Sequence, residues 1–184
     1  SLAAQLRRGG LVVFLRHART DWNQNPRELE RGPEMLLDRT LLGQCDRQRL
    51  LSDAGRDDAR AIGAAIARQG FPVGEVLTSE WCRTRETADL VFGRGQAAGD
   101  RLFDTGYLEA GSDERNHFNG ALHGLLSAPV GEGSNRFLVG HGPHIYDVSR
   151  TTLQESQAAI VRPEGGGFKV LRVVSPNQWD ALDR

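Results

Sequence analysis

Apolar residues gather in short uninterrupted runs that end in polar residues, and between those runs they recur at helical spacing. The first run, Leu11-Val12-Val13-Phe14-Leu15, follows a polar, Arg- and Gln-rich start and has the length and continuity of a central strand covered on both faces. Similar short strands are predicted over Glu75 to Ser79 and at Phe137-Leu138-Val139. Two more, Ala158 to Arg162 and Phe168 to Val174, are turned by Gly165-Gly166-Gly167. A helix is predicted from Asp53 to Gln69, capped by Ser52 and stopped by Gly70 and Pro72, with Ala59, Ile62 and Ile66 on one face. Arg83 to Phe92 reads as a second helix with Ala88, Val91 and Phe92 inward. Asp113 to Ser127 reads as a third, carrying Phe118, Leu122, Leu125 and Leu126. The stretch from Asn23 to Leu50, broken at Pro26, Gly32, Pro33 and Gly43, is long for a loop and predicts a lid or substrate-facing excursion. Alternating strands and helices predict an α/β fold with a mostly parallel central sheet. Without repeats or a low-complexity linker, residues 1–184 read as one domain.

Composition narrows the function. With 39% apolar and 26% charged residues the chain is an ordinary globular protein, and a net charge of −1 without a Lys-rich run gives no nucleic-acid-binding face. Lys169 is the sole lysine, so the positive charge is arginine, the side chain suited to bidentate grip on phosphate or carboxylate. No stretch reaches the roughly 18 apolar residues of a membrane span. The opening at Ser1 without Met predicts a processed or trimmed form whose targeting segment is gone. Cys45 and Cys82, without metal-ligand spacing, are either two buried thiols or one disulfide.

Candidate chemistry sits where strands end. Arg16-His17 follow the first strand, Arg83 lies just beyond Thr78-Ser79, and His141 follows the strand at Val139. Parallel strands bring their carboxyl ends to one edge, where ligands of open α/β sheets bind. Two guanidiniums and two imidazoles around one point suit a tetrahedral dianion. A neutral imidazole among them can attack phosphorus and carry the phosphoryl group covalently. A cysteine phosphatase would need Arg six residues after its Cys, but Ala88 holds that place after Cys82. Among His17, His117, His123, His141 and His144, no pair has metal-ligand spacing on one helix face with a carboxylate. His117 and His123 read as solvated, and His144 has no clear role. Neither a metal nor another cofactor is expected.

Leu15-Arg16-His17-Ala18-Arg19-Thr20-Asp21-Trp22-Asn23 resembles the R-H-G-E-T-x-W-N signature of the histidine phosphatase superfamily, which includes the phosphoglycerate mutases. Leu51-Ser52-Asp53-Ala54-Gly55 is similar to the L-S-x-x-G that opens the family's first helix. The stretch from Thr78 to Ala88 resembles its S-x-x-x-R-x-x-x-T-A segment, and Leu138-Val139-Gly140-His141-Gly142 its second-histidine motif. The resemblance implies a three-layer, phosphoglycerate mutase-like sandwich and a metal-independent phosphatase acting on a small phosphorylated substrate. It implies His17 as nucleophile, Arg16 and Arg83 (rather than Arg85) on the phosphoryl oxygens, and His141 as a further donor. Thr20 and Asn23 stand where the family contacts phosphate or substrate.

Departures from the pattern sharpen the expectation. Ala18 replaces the usual Gly. Arg19, where many members have Glu, is expected at the pocket mouth as a contact for polyanionic substrates. For the general acid, Glu109 after Tyr107-Leu108 is the first candidate and Asp104 the second. The long substrate-enclosing insertions of the mutase branch have little room here, so mutase activity is not expected. The family's small cell-envelope members imply a Cys45–Cys82 disulfide, hence a periplasmic or secreted protein; two reduced thiols would imply a cytoplasmic one. The alternative function is a catalytically weak relative that binds phosphate esters. Neither substrate nor oligomeric state is legible.

Overall fold

The computed structural model describes residues 1–23 and 39–184. Pro26, Gly32 and Pro33, with most of the lid expected around them, lie outside the described residues. Among the described residues, a short helix α1 (Leu2–Arg8) precedes strand β1 (Val12–Arg16). After two 3₁₀ turns come α2 (Asp53–Gln69), β2 (Val73–Thr78), α3 (Cys82–Phe92) and the two-residue β3 (Gln96–Ala97). The chain continues through α4 (Asp113–Ser127), β4 (Asn135–Gly140), α5 (Gly142–Ser149), β5 (Ala158–Pro163) and β6 (Phe168–Val174).

The strands form one sheet in the order β3-β2-β4-β1-β5-β6. The first four in that order pair in parallel, and β5 and β6 add an antiparallel edge. Alternation along the strands divides the apolar side chains between two layers. Val13, Leu15, Phe137 and Val139 pack with Ala59, Ile62 and Ile66 of α2 and Val91 of α3. Val12, Phe14 and Leu138 pack on the other face with Leu122, Leu125 and Leu126 of α4 and Ile145 of α5. The result is the expected three-layer α/β sandwich with a mostly parallel centre.

Two helices are absent from the sequence reading. In α1 the arginines and Gln5 mask a buried stripe of Leu2, Ala3 and Leu6. In α5 the Gly-Pro opening reads as a turn, yet proline is well tolerated in a helix's first turn. The Ser52 cap of α2 forms as expected, with its hydroxyl accepting from Gly55 N–H at 3.0 Å.

Candidate active site

Parallel pairing of β1 with β4 aligns Arg16 with Gly140, so His17 and His141 emerge side by side from adjacent strands. Their rings lie 5.5 Å apart, edge to face, and both are buried. The main chain of His17 is fixed from two sides. Its N–H donates to the Gly140 carbonyl, and its own carbonyl accepts from Ser156 N–H, each at 3.0 Å. His17 Nδ1 lies 2.8 Å from the Ala18 carbonyl, which can only accept, so Nδ1 carries the hydrogen of the neutral ring. Nε2 then keeps its lone pair.

Arg83 is fully buried in the first turn of α3, with its guanidinium 4.5 Å over the Trp81 ring. The family spacing from Arg83 to Thr87 has a physical reason. One helical turn lets Thr87 Oγ1 donate to the Arg83 carbonyl at 2.7 Å and accept from Ala18 N–H at 3.0 Å. Helix α3 is thereby tied to the residue after His17. Arg16, at the end of β1, donates through Nη1 to the Leu153 carbonyl at 2.8 Å. A Cβ on Gly142 would come within 3.2 Å of the Arg16 guanidinium, so the second glycine of Gly140-His141-Gly142 makes room for it.

His141 Nε2 lies 2.7 Å from Ser79 Oγ, which lies 2.6 Å from Thr84 Oγ1. Its Nδ1 is 3.4 Å from Asp104 Oδ2, and the same oxygen is 3.3 Å from Arg83 Nη2. The other Asp104 oxygen accepts from Gly106 N–H at 3.1 Å. The turn that carries Asp104 is anchored from two helices. Asp147 on α5 accepts from Thr105 Oγ1 at 3.2 Å and from Arg115 Nε on α4 at 2.7 Å. Trp81 and Tyr107 stack at 5.2 Å to form an aromatic wall beside His141.

Burial, reinforced by Arg83 and by His141, holds the His17 pKa well below its ordinary value. Burial and Arg83 do the same to His141. Both rings are therefore neutral at neutral pH. The cluster is a pair of neutral imidazoles framed by Arg16 and Arg83, with the Asp104 carboxylate beside His141 and the Glu155 carboxylate 3.7 Å from His17 Nδ1.

Arg16, His17, Arg83 and His141 thus converge as the sequence predicts, and Arg85 lies outside, exposed against the disulfide sulfurs. Other candidates fall elsewhere. Glu109 is exposed, and it is Asp104 that reaches the arginine–histidine cluster. The 3₁₀ turn Thr105–Tyr107 separates the two carboxylates and carries Glu109 away from the edge. Arg19 turns outward onto Asp58 of α2, with bonds of 2.6 and 2.9 Å, rather than facing the cluster. Thr20 is buried and supports other side chains, accepting from Arg49 Nε at 2.7 Å and donating to Glu155 at 2.6 Å. Asn23 is exposed, its N–H on Asp21 Oδ1 at 2.9 Å. His144, unassigned from sequence, is buried with Nε2 2.9 Å from the Phe118 carbonyl.

Cys45 and Cys82 form a disulfide with a Cα–Cα distance of 5.7 Å. Cys82 N–H also donates to Gln48 Oε1 at 2.9 Å, so the segment leading to Arg49 is fastened beside Arg83. The Arg49 guanidinium lies 3.7 Å over the Trp22 ring. Sequence reading missed Arg49 and Glu155 altogether; for Arg49 the available signal was a basic residue directly before Leu50-Leu51-Ser52.

The sheet edge presents two imidazoles and two guanidiniums, a set whose charge and donors suit a tetrahedral oxyanion. The model of the histidine phosphatase superfamily, branch 1, matches residues 12–99. Over those residues the chain is similar to that superfamily. Solved structures agree on the fold. The protein histidine phosphatase SixA complexed with tungstate superposes with a TM-score of 0.55 at 16% identity, covering 91% of this chain and 98% of that one. YhfR from Bacillus stearothermophilus gives 0.56 at 18% identity, covering 87% and 94%. A phosphoserine phosphatase variant from Entamoeba histolytica, in complex with phosphoserine, gives 0.55 at 13% identity, covering 90% and 97%. No curated protein sequence matches the chain. Among the described residues, no helix is long and apolar enough to cross a membrane.

Proposed function

We propose that the chain, acting as one histidine phosphatase-like domain, hydrolyses a small phosphomonoester through a phosphohistidine on His17. The observation that carries this reading is the His17 ring itself. Its Nδ1–H is held by the Ala18 carbonyl, and burial and its cationic neighbours keep the ring unprotonated, which leaves Nε2 available for attack. In this reading Arg16, Arg83 and His141 take the phosphoryl oxygens. Their charge is in place before the reaction, so stabilising the transition state costs little reorganisation. Asp104 is the general acid for the leaving oxygen and then the base for the attacking water, a role its distances to Arg83 and His141 support. Tungstate, a tetrahedral oxyanion, bound to SixA and phosphoserine bound to the Entamoeba enzyme are consistent with a phosphoryl substrate. The Cys45–Cys82 disulfide supports an oxidising location, periplasmic or secreted.

The test is phosphate release from an aryl phosphate in the presence of a chelator, with radiolabelled phosphoenzyme trapped by alkaline quench. Chelator-resistant turnover and an alkali-stable, acid-labile adduct are expected, both abolished in His17→Ala. Equal activity in that variant refutes the mechanism. A wild-type protein that binds phosphate esters without turnover would instead be the binding relative.

A further inference from the structure

Glu155 lies in the turn before β5, more than a hundred residues from His17 in sequence, yet it faces that ring. Antiparallel pairing of β1 with β5 puts Leu15 opposite Ala158, so the residues before β5 run beside those after β1. The Glu155 side chain is 13% exposed, and its contacts share one direction. One oxygen accepts from Thr20 Oγ1 at 2.6 Å and Thr20 N–H at 3.2 Å; the other accepts from Trp22 Nε1 at 3.0 Å. Held by these donors, Oε2 sits 3.7 Å from His17 Nδ1, across the ring from the nitrogen that would attack.

The turn is built to hold that position. Ser156 adopts a left-handed backbone, φ 69°, a conformation costly for a residue with a side chain. It is kept there by three bonds. Its N–H donates to the His17 carbonyl at 3.0 Å, its hydroxyl donates to Asp58 at 2.7 Å, and that hydroxyl accepts from Arg19 N–H at 3.1 Å. Arg19 and Asp58, paired on the outside, therefore brace the carboxylate's turn.

The surroundings of His17 give the carboxylate a task. Arg16 from β1, Arg83 from α3 and His141 after β4 all act against positive charge on its ring. Asp104 lies beyond Arg83 and His141. When Nε2 bonds to phosphorus, however, the imidazole must become cationic. We propose that Glu155 is a positioning residue for His17 that stabilises the imidazolium formed during phosphoryl transfer. The inference rests on the phosphohistidine reading above. The Nε2 lone pair forms the N–P bond, the P–O ester bond breaks with its electrons on the leaving oxygen, and Asp104 protonates that oxygen. The proton stays on Nδ1, donated to the Ala18 carbonyl, and none passes to Glu155. Water then forms the new P–O bond, giving a proton to Asp104, and the N–P electrons return to Nε2. Unlike charges within 4 Å in a buried site attract far more strongly than in water, which makes the carboxylate effective.

Glu155→Gln removes the charge while keeping size and one acceptor, and Glu155→Asp keeps the charge at a shorter reach. For Glu155→Gln, kcat on an aryl phosphate is expected to fall about 10–100-fold with KM within about threefold, as for loss of one electrostatic stabiliser. Phosphoenzyme formation in a single turnover should slow by the same factor, and Glu155→Asp should be intermediate. With ¹⁵N-labelled histidine, the His17 titration should move to lower pH in Glu155→Gln, a shift that mere packing would not produce. Wild-type phosphoenzyme formation with an unchanged rate and an unmoved titration in Glu155→Gln overturns this inference alone. Absence of a wild-type phosphoenzyme overturns it together with the mechanism it rests on.

Discussion

The carboxylate of Asp104 lies 3.4 Å from Nδ1 of His141 and shares the same oxygen with Arg83, whereas Glu109, five residues on, is exposed. An acid in that position is needed in proportion to the basicity of the leaving group. Asp104→Asn is therefore expected to cut kcat on an alkyl phosphate by about 10²-fold or more, and on p-nitrophenyl phosphate by much less. Glu109→Gln should leave both within about threefold. Equal losses on the two substrates for Asp104→Asn would assign Asp104 to holding Arg83 rather than to proton transfer.

The Cys45–Cys82 bond closes a sequence separation of 37 residues and pins α3 at the residue before Arg83. By the chain-entropy argument a loop of that size constrains the unfolded chain by about 4 kcal/mol, less any structure the reduced state retains. Cys45→Ser/Cys82→Ser should unfold at lower urea concentration, by about 2–4 kcal/mol, and reductant should shift wild type but not the double variant. Identical urea midpoints for the two oxidised proteins would remove the bond from the account of stability.

Arg16, His17, Arg83 and His141 were legible because each follows a strand, and strand ends are set by local pattern. Parallel pairing then brings such positions together. Asp104 and Glu155 lie in irregular segments, where no periodicity fixes which way a side chain points. Glu155 meets Thr20 across 135 positions, a contact that exists only once β5 pairs with β1. Arg19 was misread for a related reason. Its place in the motif predicts the pocket mouth, but Asp58, one turn into α2, is close enough to claim the guanidinium. The polar start concealed α1 because its three buried residues make too narrow a stripe to register against Gln5, Arg7 and Arg8.

Three buried histidines make stability depend on pH in a definite direction. His17, His141 and His144 all have pKa values lowered by burial, so between the unfolded value near 6.5 and the folded value the unfolded chain binds more protons. Stability is full above pH 6.5 and falls as pH drops below it, until the folded-state pKa is reached. The slope is up to about 1.4 kcal/mol per pH unit for each histidine. Urea midpoints measured at pH 7.5 and 5.5 should show the loss, and His144→Gln should reduce the pH dependence. A midpoint that stays constant across this range would mean that these rings gain a proton in the folded protein as easily as in the unfolded one.

Gly55, the last residue of Leu51-Ser52-Asp53-Ala54-Gly55, is required by a close approach rather than by backbone conformation. A Cβ there would fall on the Arg19 carbonyl, the group that accepts from Ser52 N–H at 3.0 Å and from the Ser52 hydroxyl at 3.2 Å. The cap of α2 and the segment after His17 are thus seated against each other with no room for a methyl group. Gly55→Ala must push them apart, breaking bonds that hold Arg19, and Ser156 depends in turn on Arg19 N–H. Overpacking of this kind costs about 1–3 kcal/mol, which for a chain of this size lowers Tm by about 3–10 °C. The displacement also reaches the turn that carries Glu155, so kcat should fall along with Tm. Gly63→Ala is the comparison, because its Cβ would strike the Val91 carbonyl between α2 and α3, away from the nucleophile. A Tm loss without a kcat loss is expected for that variant, and a parallel loss in both would show that the coupling is general helix displacement rather than this contact.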